Sequence, residues 1–323
     1  MCKRRIILKY TEEQLKHYAA PLSNTEDQKC KNAINEITKA LKKLGYASSF
    51  NDALLMEKDT YAYTNTLKRS FDNREIQIFI QGSYANNTCV RGESDVDIAI
   101  VRRDINESAF GKNFSPYVPL FEQRDNAIQL KNNVEKRLKE EFPYCVHRAN
   151  KSIKLDGNTY RKKADNVPCV SMHYYYKSEE KNYNDFAEGV TIFADDGQVI
   201  NNFPKQHISN GKAKNNNTNY YYKKMVRIIK KIRYDMEESG YSSASQVSSF
   251  GLESLLWNIP DNIFMKYVTY RFEFEEIIKY LYHNMESFTI YKEANGIKPL
   301  CCNMEELDKY KNFVRDLYYF YSY

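Results

Sequence analysis

Two aspartates separated by one residue are the side chains with the clearest chemical potential. Asp95 and Asp97 occur in the motif Ser94-Asp95-Val96-Asp97-Ile98, which continues as an apolar, β-prone run to Val101. Alternate residues of a strand lie on the same face of a sheet, so both carboxylates are expected on one face. Carboxylates this close repel each other unless a cation lies between them, and Mg²⁺ prefers such oxygen ligands. The spacing therefore predicts a divalent-metal site.

A Gly-Ser turn upstream could hold phosphate beside this metal. Gln81, Gly82 and Ser83 directly follow the strand-like run Ile76–Ile80. Glycine lets backbone amides approach a phosphate closely, and the serine hydroxyl can donate to the same oxygens. Either motif alone is common in proteins, since Asp-x-Asp pairs also occur on solvated strand edges. Their combination predicts that these three residues bind a nucleoside triphosphate.

A third carboxylate is expected if the site transfers a nucleotidyl group, because the attacking hydroxyl needs a base or a metal ligand. Asp165 is the candidate, in the short β-like run Lys162–Val170. We expect this run to join the sheet beside Asp95 and Asp97, which makes all three aspartates candidate catalytic and Mg²⁺-binding residues. The open alternative is that Asp165 is only a polar residue at the start of a strand.

Hydrophobic periodicity predicts the elements around these residues. A helix is expected from Glu26 to Gly45, with Thr25 as its N-cap and Gly45 as its stop. Two hairpins are expected, one at Asp156-Gly157 and one at Asp195-Asp196-Gly197, where the aspartates serve as turn residues. Further elements are predicted as strands at Ile76–Ile80, Asp95–Val101, Tyr144–Leu155 and Tyr160–Met172, and as a helix at Arg124–Phe142.

The second half of the chain has helical periodicity after one polar stretch. Lys205–Asn219 is rich in Lys, Asn and Gly, which predicts a linker or loop. Helices are predicted at Tyr220–Glu238, Ser249–Asn258, Asp261–Met285 and Met304–Tyr321. The pattern indicates an α+β lobe followed by a helical lobe.

Composition excludes several classes of protein. The 323 residues suggest two domains of about 100–200 residues each, and no run of about 18 apolar residues is present. We therefore expect no membrane partner. Seven irregularly spaced cysteines and the lack of a leader-like N-terminus predict a cytoplasmic protein. A net charge of +6 permits an anionic substrate but is milder than that of a dedicated nucleic-acid binder.

These motifs, in this order, resemble the bacterial cyclic GMP-AMP synthase and DncV-like nucleotidyltransferase family, the cyclic-oligonucleotide synthases of CBASS anti-phage defence. The similar segments are Gly82-Ser83-Tyr84, Thr88, Ser94 to Ile98, Ala164 to Pro168, Asn202 to His207, and Lys214-Asn215 with Thr218. The resemblance implies an α+β, two-lobed fold like that of polymerase β. Its mixed-sheet catalytic lobe would span residues 1–205 and its helical lobe residues 206–323.

The resemblance continues in the helical lobe and implies roles there. The helix from Lys223 to Lys230 is similar to the one whose lysine contacts the donor triphosphate, which implies that role for Lys230. Ser249-Phe250 resembles a Ser-Tyr element that binds the phosphates and stacks on the donor base. The residues alone favour simpler alternatives: Lys230 as one of several cations on a solvated helix face, Ser249 as an N-cap, and Phe250 as a core residue.

The resemblance also implies the cofactor, the partners and the product. Two Mg²⁺ ions, replaceable by Mn²⁺, would assist the joining of donor and acceptor nucleoside triphosphates into a cyclic di- or trinucleotide. A downstream effector would bind the product, and the enzyme is expected to be a monomer. Asn166 departs from the family pattern, which has an apolar residue there. Cys301-Cys302 lacks the further ligands of a zinc site, so neither structural zinc nor a nucleic-acid activator is expected.

Two other functions stay open at this stage. A template-independent RNA or tRNA nucleotidyltransferase would use the same chemistry on a polymer, and its binding would weaken steeply with salt. A catalytically silent, antitoxin-like binding module would use the fold without the reaction. Mg²⁺-dependent release of pyrophosphate would exclude the second of these.

Overall fold

The structure, a computed structural model, describes residues 9–48, 50–92, 95–110, 121–175 and 186–322. Ser94, part of the Asp-x-Asp motif, lies outside the described residues. Contacts divide the chain into two units. The sheet unit takes the described residues within Leu22–Asn86 and Glu93–Ile208, and the helical unit takes those within Met1–Pro21, Asn87–Gly92 and Ser209–Tyr323.

The described helices and strands are numbered in chain order. The helices are α1 (Glu12–Tyr18), α2 (Asn24–Lys42), α3 (Gly82–Ala85), α4 (Phe121–Glu141), α5 (Pro204–Asn217), α6 (Tyr222–Glu238), α7 (Ser242–Ser245), α8 (Ser249–Trp257), α9 (Tyr270–His283) and α10 (Met304–Ser322). The strands are β1 (Ala47–Ser48), β2 (Leu54–Leu55), β3 (Tyr63–Arg69), β4 (Arg74–Gln81), β5 (Val96–Phe110), β6 (Val146–Arg148), β7 (Ile153–Leu155), β8 (Ala164–Tyr175), β9 (Phe186–Phe193) and β10 (Val199–Asn202).

One mixed sheet organises the sheet unit. Its main path runs β1-β3-β4-β5-β8-β7-β6, with β2 on β3, β9 on β8, and β10 on β9. Strands β5 and β8 pair in parallel, whereas the other pairs are antiparallel. Ile78, Ile98 and Ile100 are buried at the centre, as expected of β-branched residues in central strands. The predicted mixed sheet is therefore confirmed.

Of the two predicted ends of helix α2, one is confirmed and the other was wrong. Its N-cap is Ser23, which forms a capping box with Glu26, so the prediction of Thr25 was wrong. The box satisfies two backbone amides at once, which a cap at Thr25 would not do here. Gly45 adopts φ +87°, the left-handed conformation expected just beyond a helix end, and its predicted role as the stop is confirmed.

The two predicted hairpins differ in outcome. The chain turns between β9 and β10 at Asp195-Asp196-Gly197, where Gly197 adopts φ +90°. The first hairpin forms between β7 and β8, but its connection is a longer loop that begins at Asp156 rather than a tight Asp-Gly turn. Gly157 does not adopt a positive φ, so the feature that favours Asp-Gly in tight turns is not used.

The segment predicted as a linker is helical instead. Helix α5 covers Pro204–Asn217, with proline at the first helical position, where its missing N–H costs nothing. Within this helix Lys214 pairs with Asp261 at 2.5 Å, and Asn210 donates to the carbonyl of Ala294 at 3.0 Å. These tertiary contacts outweigh the weak helix propensity of Asn and Gly.

The helical unit is built around α6, which is amphipathic and whose apolar face is buried. Ile228, Ile229 and Ile232 lie in one cluster with Leu255 of α8 and Phe274 of α9. The predicted long helix Asp261–Met285 is interrupted: a 3-10 turn at Asp261–Met265 precedes α9, and a second covers Met285–Ile290. The interruption lets Phe264 and Phe288 enter the core, where both are fully buried.

The described N-terminal residues belong to the helical unit, which differs from the predicted extent of the catalytic lobe. Tyr10, Leu15 and Ala19 are buried in the same cluster as α6, and Tyr10 and Tyr18 both donate to Asp235 of that helix. Among the described helices, none has the combined length and apolar content that crossing a bilayer requires.

Candidate active site

The register of the sheet aligns a row of polar side chains across four strands. Gln81 at the end of β4 is opposite Asp97 of β5, Asp97 is opposite Asp165 of β8, and Asp165 is opposite Lys154 of β7. Residues directly opposite on neighbouring strands point to the same face. The predicted placement of Asp165 beside the Asp-x-Asp motif is therefore confirmed, and Asp95 extends the group from the position before β5.

Gly82 lies against this row at its Gln81 end. It adopts φ +68°, and a Cβ at this position would lie 2.7 Å from Oδ2 of Asp97. Both the backbone conformation and the space exclude a side chain here. The turn that carries Ser83 therefore has its backbone directly beside a carboxylate of the row, as a phosphate seat next to a metal ligand requires.

The carboxylates disturb one another. Burial, then the charges of Asp165 and Asp95, raise the pKa of Asp97 to about 7. Burial also raises the pKa of Asp165, where the charge of Lys154 acts in the opposite direction. Like charges held together in a partly buried site disfavour ionisation of each member. This group therefore attracts protons or cations.

Asp95 is paired with a lysine that the motifs did not single out. Nζ of Lys163 lies 2.8 Å from Oδ2 of Asp95, and the two side chains are 42% and 36% exposed. The carbonyl of Lys163 also accepts a hydrogen bond from the amide of Val96, so β8 holds this lysine next to the start of β5. The contact with Asp95 raises the pKa of Lys163.

The carboxylate oxygens of Asp95, Asp97 and Asp165 are of the type that a magnesium ion prefers. Oδ1 of Asp165 is buried without a hydrogen-bond partner among the described residues, and the neighbouring carboxylates repel each other. No three acidic, His or Cys side chains of the described residues are already arranged around one cation position. Nζ of Lys163 pairs with Oδ2 of Asp95, an oxygen that the ion would use.

Asn166, the departure from the family pattern, does not join the row. It is fully buried, and its side-chain amide donates to the carbonyl of Ile153 at 2.9 Å. Alternation along β8 points it to the face opposite Asp165. Its effect on the site is therefore to support the strand and not to contact a substrate.

Lys230 lies in a setting that differs from both roles considered for it. The side chain is 2% exposed and its Nζ lies 2.9 Å from Oε2 of Glu253, which is 1% exposed. The same Nζ donates to the carbonyl of Thr88 at 3.0 Å and to its hydroxyl at 3.4 Å. It is thus not on a solvated helix face. An ammonium has three N–H donors, and these three acceptors account for all of them, which does not favour a phosphate contact.

Ser249 and Phe250 begin helix α8 in the helical unit. The N-cap is Ser248, whose hydroxyl accepts from the amide of Gly251 at 2.9 Å, so the capping role considered for Ser249 falls to its neighbour. Phe250 is partly exposed and, with Gly251 and Tyr310, lines a cavity of about 270 Å³ within the helical unit.

The motifs missed Lys154 and Lys163, the two cations of the carboxylate group. Both had a signal in the sequence. Lys154 interrupts the apolar pair Ile153 and Leu155, so alternation places it on the opposite face from them. Lys163 is two positions before Asp165, which puts it on the same face if the strand begins early.

The chain is similar to known proteins along nearly its whole length. Residues 209–322 match the cGAS/DncV-like nucleotidyltransferase C-terminal helical domain. The cyclic GMP-AMP synthase CdnE03 of Staphylococcus schleiferi is 42% identical over 97% of both chains. The cyclic dipyrimidine nucleotide synthase CdnE of Cecembia lonarensis is 32% identical over 90% of both.

A solved structure agrees with these relatives. The CdnE cyclic dinucleotide synthase of Elizabethkingia meningoseptica, determined with GTP and Apcpp, superposes with a TM-score of 0.74. It is 32% identical, and the match covers 98% of this chain and 100% of that one. The shared fold, the helical domain and the identity along nearly the whole length lead to one conclusion: the chain belongs to the cGAS/DncV-like nucleotidyltransferase family of bacterial cyclic-nucleotide synthases.

Proposed function

We propose that this protein is an Mg²⁺-dependent nucleotidyltransferase that joins two nucleoside triphosphates into a cyclic dinucleotide and releases pyrophosphate. The observation that carries the proposal is the in-register placement of Asp97 beside Asp165, with Asp95 and Gly82 adjoining them. A site with three acidic residues beside a glycine of a Gly-Ser turn has the features required for metal-assisted transfer at a phosphate.

The reaction forms one bond and breaks one bond at the donor. The oxygen of the acceptor ribose hydroxyl bonds to the α-phosphorus of the donor, while the bond from that phosphorus to the bridging oxygen of pyrophosphate breaks. Asp165 accepts the hydroxyl proton, a role supported by its raised pKa. A second transfer, between the ends of the linear intermediate, closes the ring.

Asp95, Asp97 and Asp165 are the residues that would hold Mg²⁺, which supplies charge neutralisation at the phosphates and lowers the pKa of the acceptor hydroxyl. Two ions are proposed, with Mn²⁺ as a substitute. Gln81, Gly82 and Ser83 orient the donor triphosphate from the sheet unit. The family resemblance assigns Ser249 to the phosphate oxygens and Phe250 to stacking on the base, a contact typically worth about 1–3 kcal/mol. Lys230 is left out of the phosphate contacts because of its buried ion pair.

The bases and the biological setting belong to the same proposal. The most similar relative reported above makes cyclic GMP-AMP, and the structural neighbour was determined with GTP and an ATP analogue, which supports a purine-containing product. The dipyrimidine synthase at 32% identity is the reason to test all four bases. Action in the cytoplasm, a role in anti-phage signalling and a product-binding effector complete the proposal.

Incubation with each pair of labelled nucleoside triphosphates, with Mg²⁺, Mn²⁺ or EDTA, tests it directly. We expect metal-dependent pyrophosphate release and a labelled product that resists phosphatase, because a ring has no terminal phosphate. The double variant Asp95→Ala, Asp97→Ala should form none. Normal turnover by that variant would overturn the site assignment. Phosphatase-sensitive linear chains would instead support a template-independent RNA polymerase.

A further inference from the structure

Thr88 is one of the residues that carry the family resemblance, yet the proposed reaction gives it no role. In the structure it is fully buried in the helical unit. Its hydroxyl donates to Oε2 of Glu253 at 2.6 Å and accepts from Nζ of Lys230 at 3.4 Å, while its carbonyl accepts from the same Nζ at 3.0 Å. Thr88, Lys230 and Glu253 are therefore joined in one network of charged and polar groups, which we call the buried anchor.

Other cations hold the same stretch of chain. The segment Asn87–Gly92, here called the motif loop, belongs to the helical unit. Arg227 of α6 donates to the carbonyl of Asn87 and, at 2.7 Å, to that of Ala19. Arg91 donates to the carbonyl of Pro21. The motif loop thus has its backbone and side chains fixed at several points within the helical unit.

The motif loop lies in the sequence between two segments that carry proposed site residues. It connects the turn that carries Ser83 to the strand that begins after Asp95, and both of those flanking segments belong to the sheet unit. Asn86, the last residue before the loop, is fully buried and donates to the carbonyl of His207 in the sheet unit at 3.2 Å. Whatever fixes the loop therefore limits where the phosphate-binding turn and the first metal ligand can lie.

We propose that Thr88, Lys230 and Glu253 are positioning residues that set the alignment of Ser83 and Asp95 by fixing the motif loop. This inference rests on the proposed function. Charge-assisted hydrogen bonds are directional as well as strong, so they fix a backbone more exactly than apolar packing does. Displacements of about 1 Å can cost about a hundredfold in rate when they misalign reacting groups.

Two substitutions at one position separate positioning from folding. Thr88→Val keeps the shape and removes the hydroxyl, whereas Thr88→Ser keeps the hydroxyl. We expect Thr88→Val to lower kcat about ten- to a hundredfold with KM changed less than about twofold, because ground-state binding groups are untouched. Thr88→Ser should restore most of kcat. Ile277→Val, a fully buried core change on α9, is the matched control and should lower Tm without lowering the kcat of folded protein.

Hydrogen exchange of the motif loop provides a readout that does not depend on activity. Exchange within residues 87–92 should be faster in Thr88→Val than in wild type, and close to wild type in Thr88→Ser. If wild type releases no pyrophosphate, the proposed function fails, and the exchange comparison still decides whether the anchor holds the loop. Unchanged exchange in Thr88→Val, or unchanged kcat with a faster-exchanging loop, would overturn the positioning role.

Discussion

Two groups of buried charge, one in each unit, differ in how completely they are paired. In the helical unit Lys230 and Glu253 are almost fully buried, and each finds an opposite charge at 2.9 Å. In the sheet unit Asp97 and Asp165 lie side by side, and burial, together with the charges of its acidic neighbours, raises the pKa of Asp97 to about 7. A buried charge with an opposite partner stabilises one arrangement of the chain. Carboxylates without such a partner keep an affinity for a proton or a metal cation. The difference separates groups that position a site from groups that bind a ligand there.

The largest effect is expected when one partner of the buried pair is removed. Lys230→Met should lower the free energy of unfolding by about 3–5 kcal/mol, because Glu253 stays buried without its cation. Lys230→Met combined with Glu253→Gln should recover much of that loss. Calorimetric or urea unfolding measures both.

An exposed pair in the same unit gives the control for that experiment. Lys279 and Glu275 lie 2.7 Å apart on α9 with 47% and 36% of their side chains exposed. Lys279→Met should cost less than about 1 kcal/mol. Equal losses in Lys230→Met and Lys279→Met would show that burial does not distinguish the pairs.

The stability of the metal-free protein should depend on pH through the carboxylate row. The pKa of Asp97 is about 7 in the folded protein and has an ordinary value of 3.8. The folded state therefore holds the proton more tightly, and metal-free protein should lose stability as pH rises from 3.8 to about 7. At about 1.36 kcal/mol per pKa unit, and allowing for the solvent that reaches this carboxylate, the loss is about 2–4 kcal/mol.

Comparison with Asp97→Asn isolates that effect. In EDTA the variant should be more stable than wild type at pH 8, and the difference should shrink towards pH 4. Mg²⁺ should raise the Tm of wild type at pH 8 and leave the Tm of the variant nearly unchanged. A difference that is constant with pH would contradict the raised pKa.

The smallest expected effect concerns the lysine that partly neutralises the row. Mg²⁺ must compete with Lys163 for Asp95, and the pair is too exposed to be worth more than about 1 kcal/mol. Lys163→Met should therefore tighten metal binding by less than about fivefold in calorimetric titration. Lys139→Met, which removes an exposed pair with Glu135 on α4, should leave the metal affinity unchanged. Weaker binding in Lys163→Met would show that the lysine supports the site and does not compete for it.

The sequence was sufficient for the carboxylates because their signal is local. Alternation around Asp97 and the β-like run around Asp165 predict two strands, and a sheet that joins them brings the side chains together. The cations were not predictable in the same way, since the pairing of Lys163 with Asp95 and of Lys230 with Glu253 depends on which strands and helices become neighbours. A lysine on an amphipathic helix has the same sequence signature whether its partner is water or a buried glutamate.

Dependence on distant contacts also explains the largest error in the predicted fold. Pro204–Asn217 is helical although its Asn, Gly and Lys content is typical of a loop. Its stability comes from contacts such as Lys214 with Asp261, distant in sequence and invisible to local propensity.

The route of the motif loop also limits how such a protein can be divided. Because Asn87–Gly92 leaves the sheet unit and is held among helices, a fragment of residues 22–208 would carry that stretch without Arg227, Lys230 or Glu253. A chimaera that takes one half from a relative should fold only where that half supplies matching partners for the motif loop. A substitution at Thr88, Lys230 or Glu253 therefore needs a compensating change in a segment that is distant in the sequence.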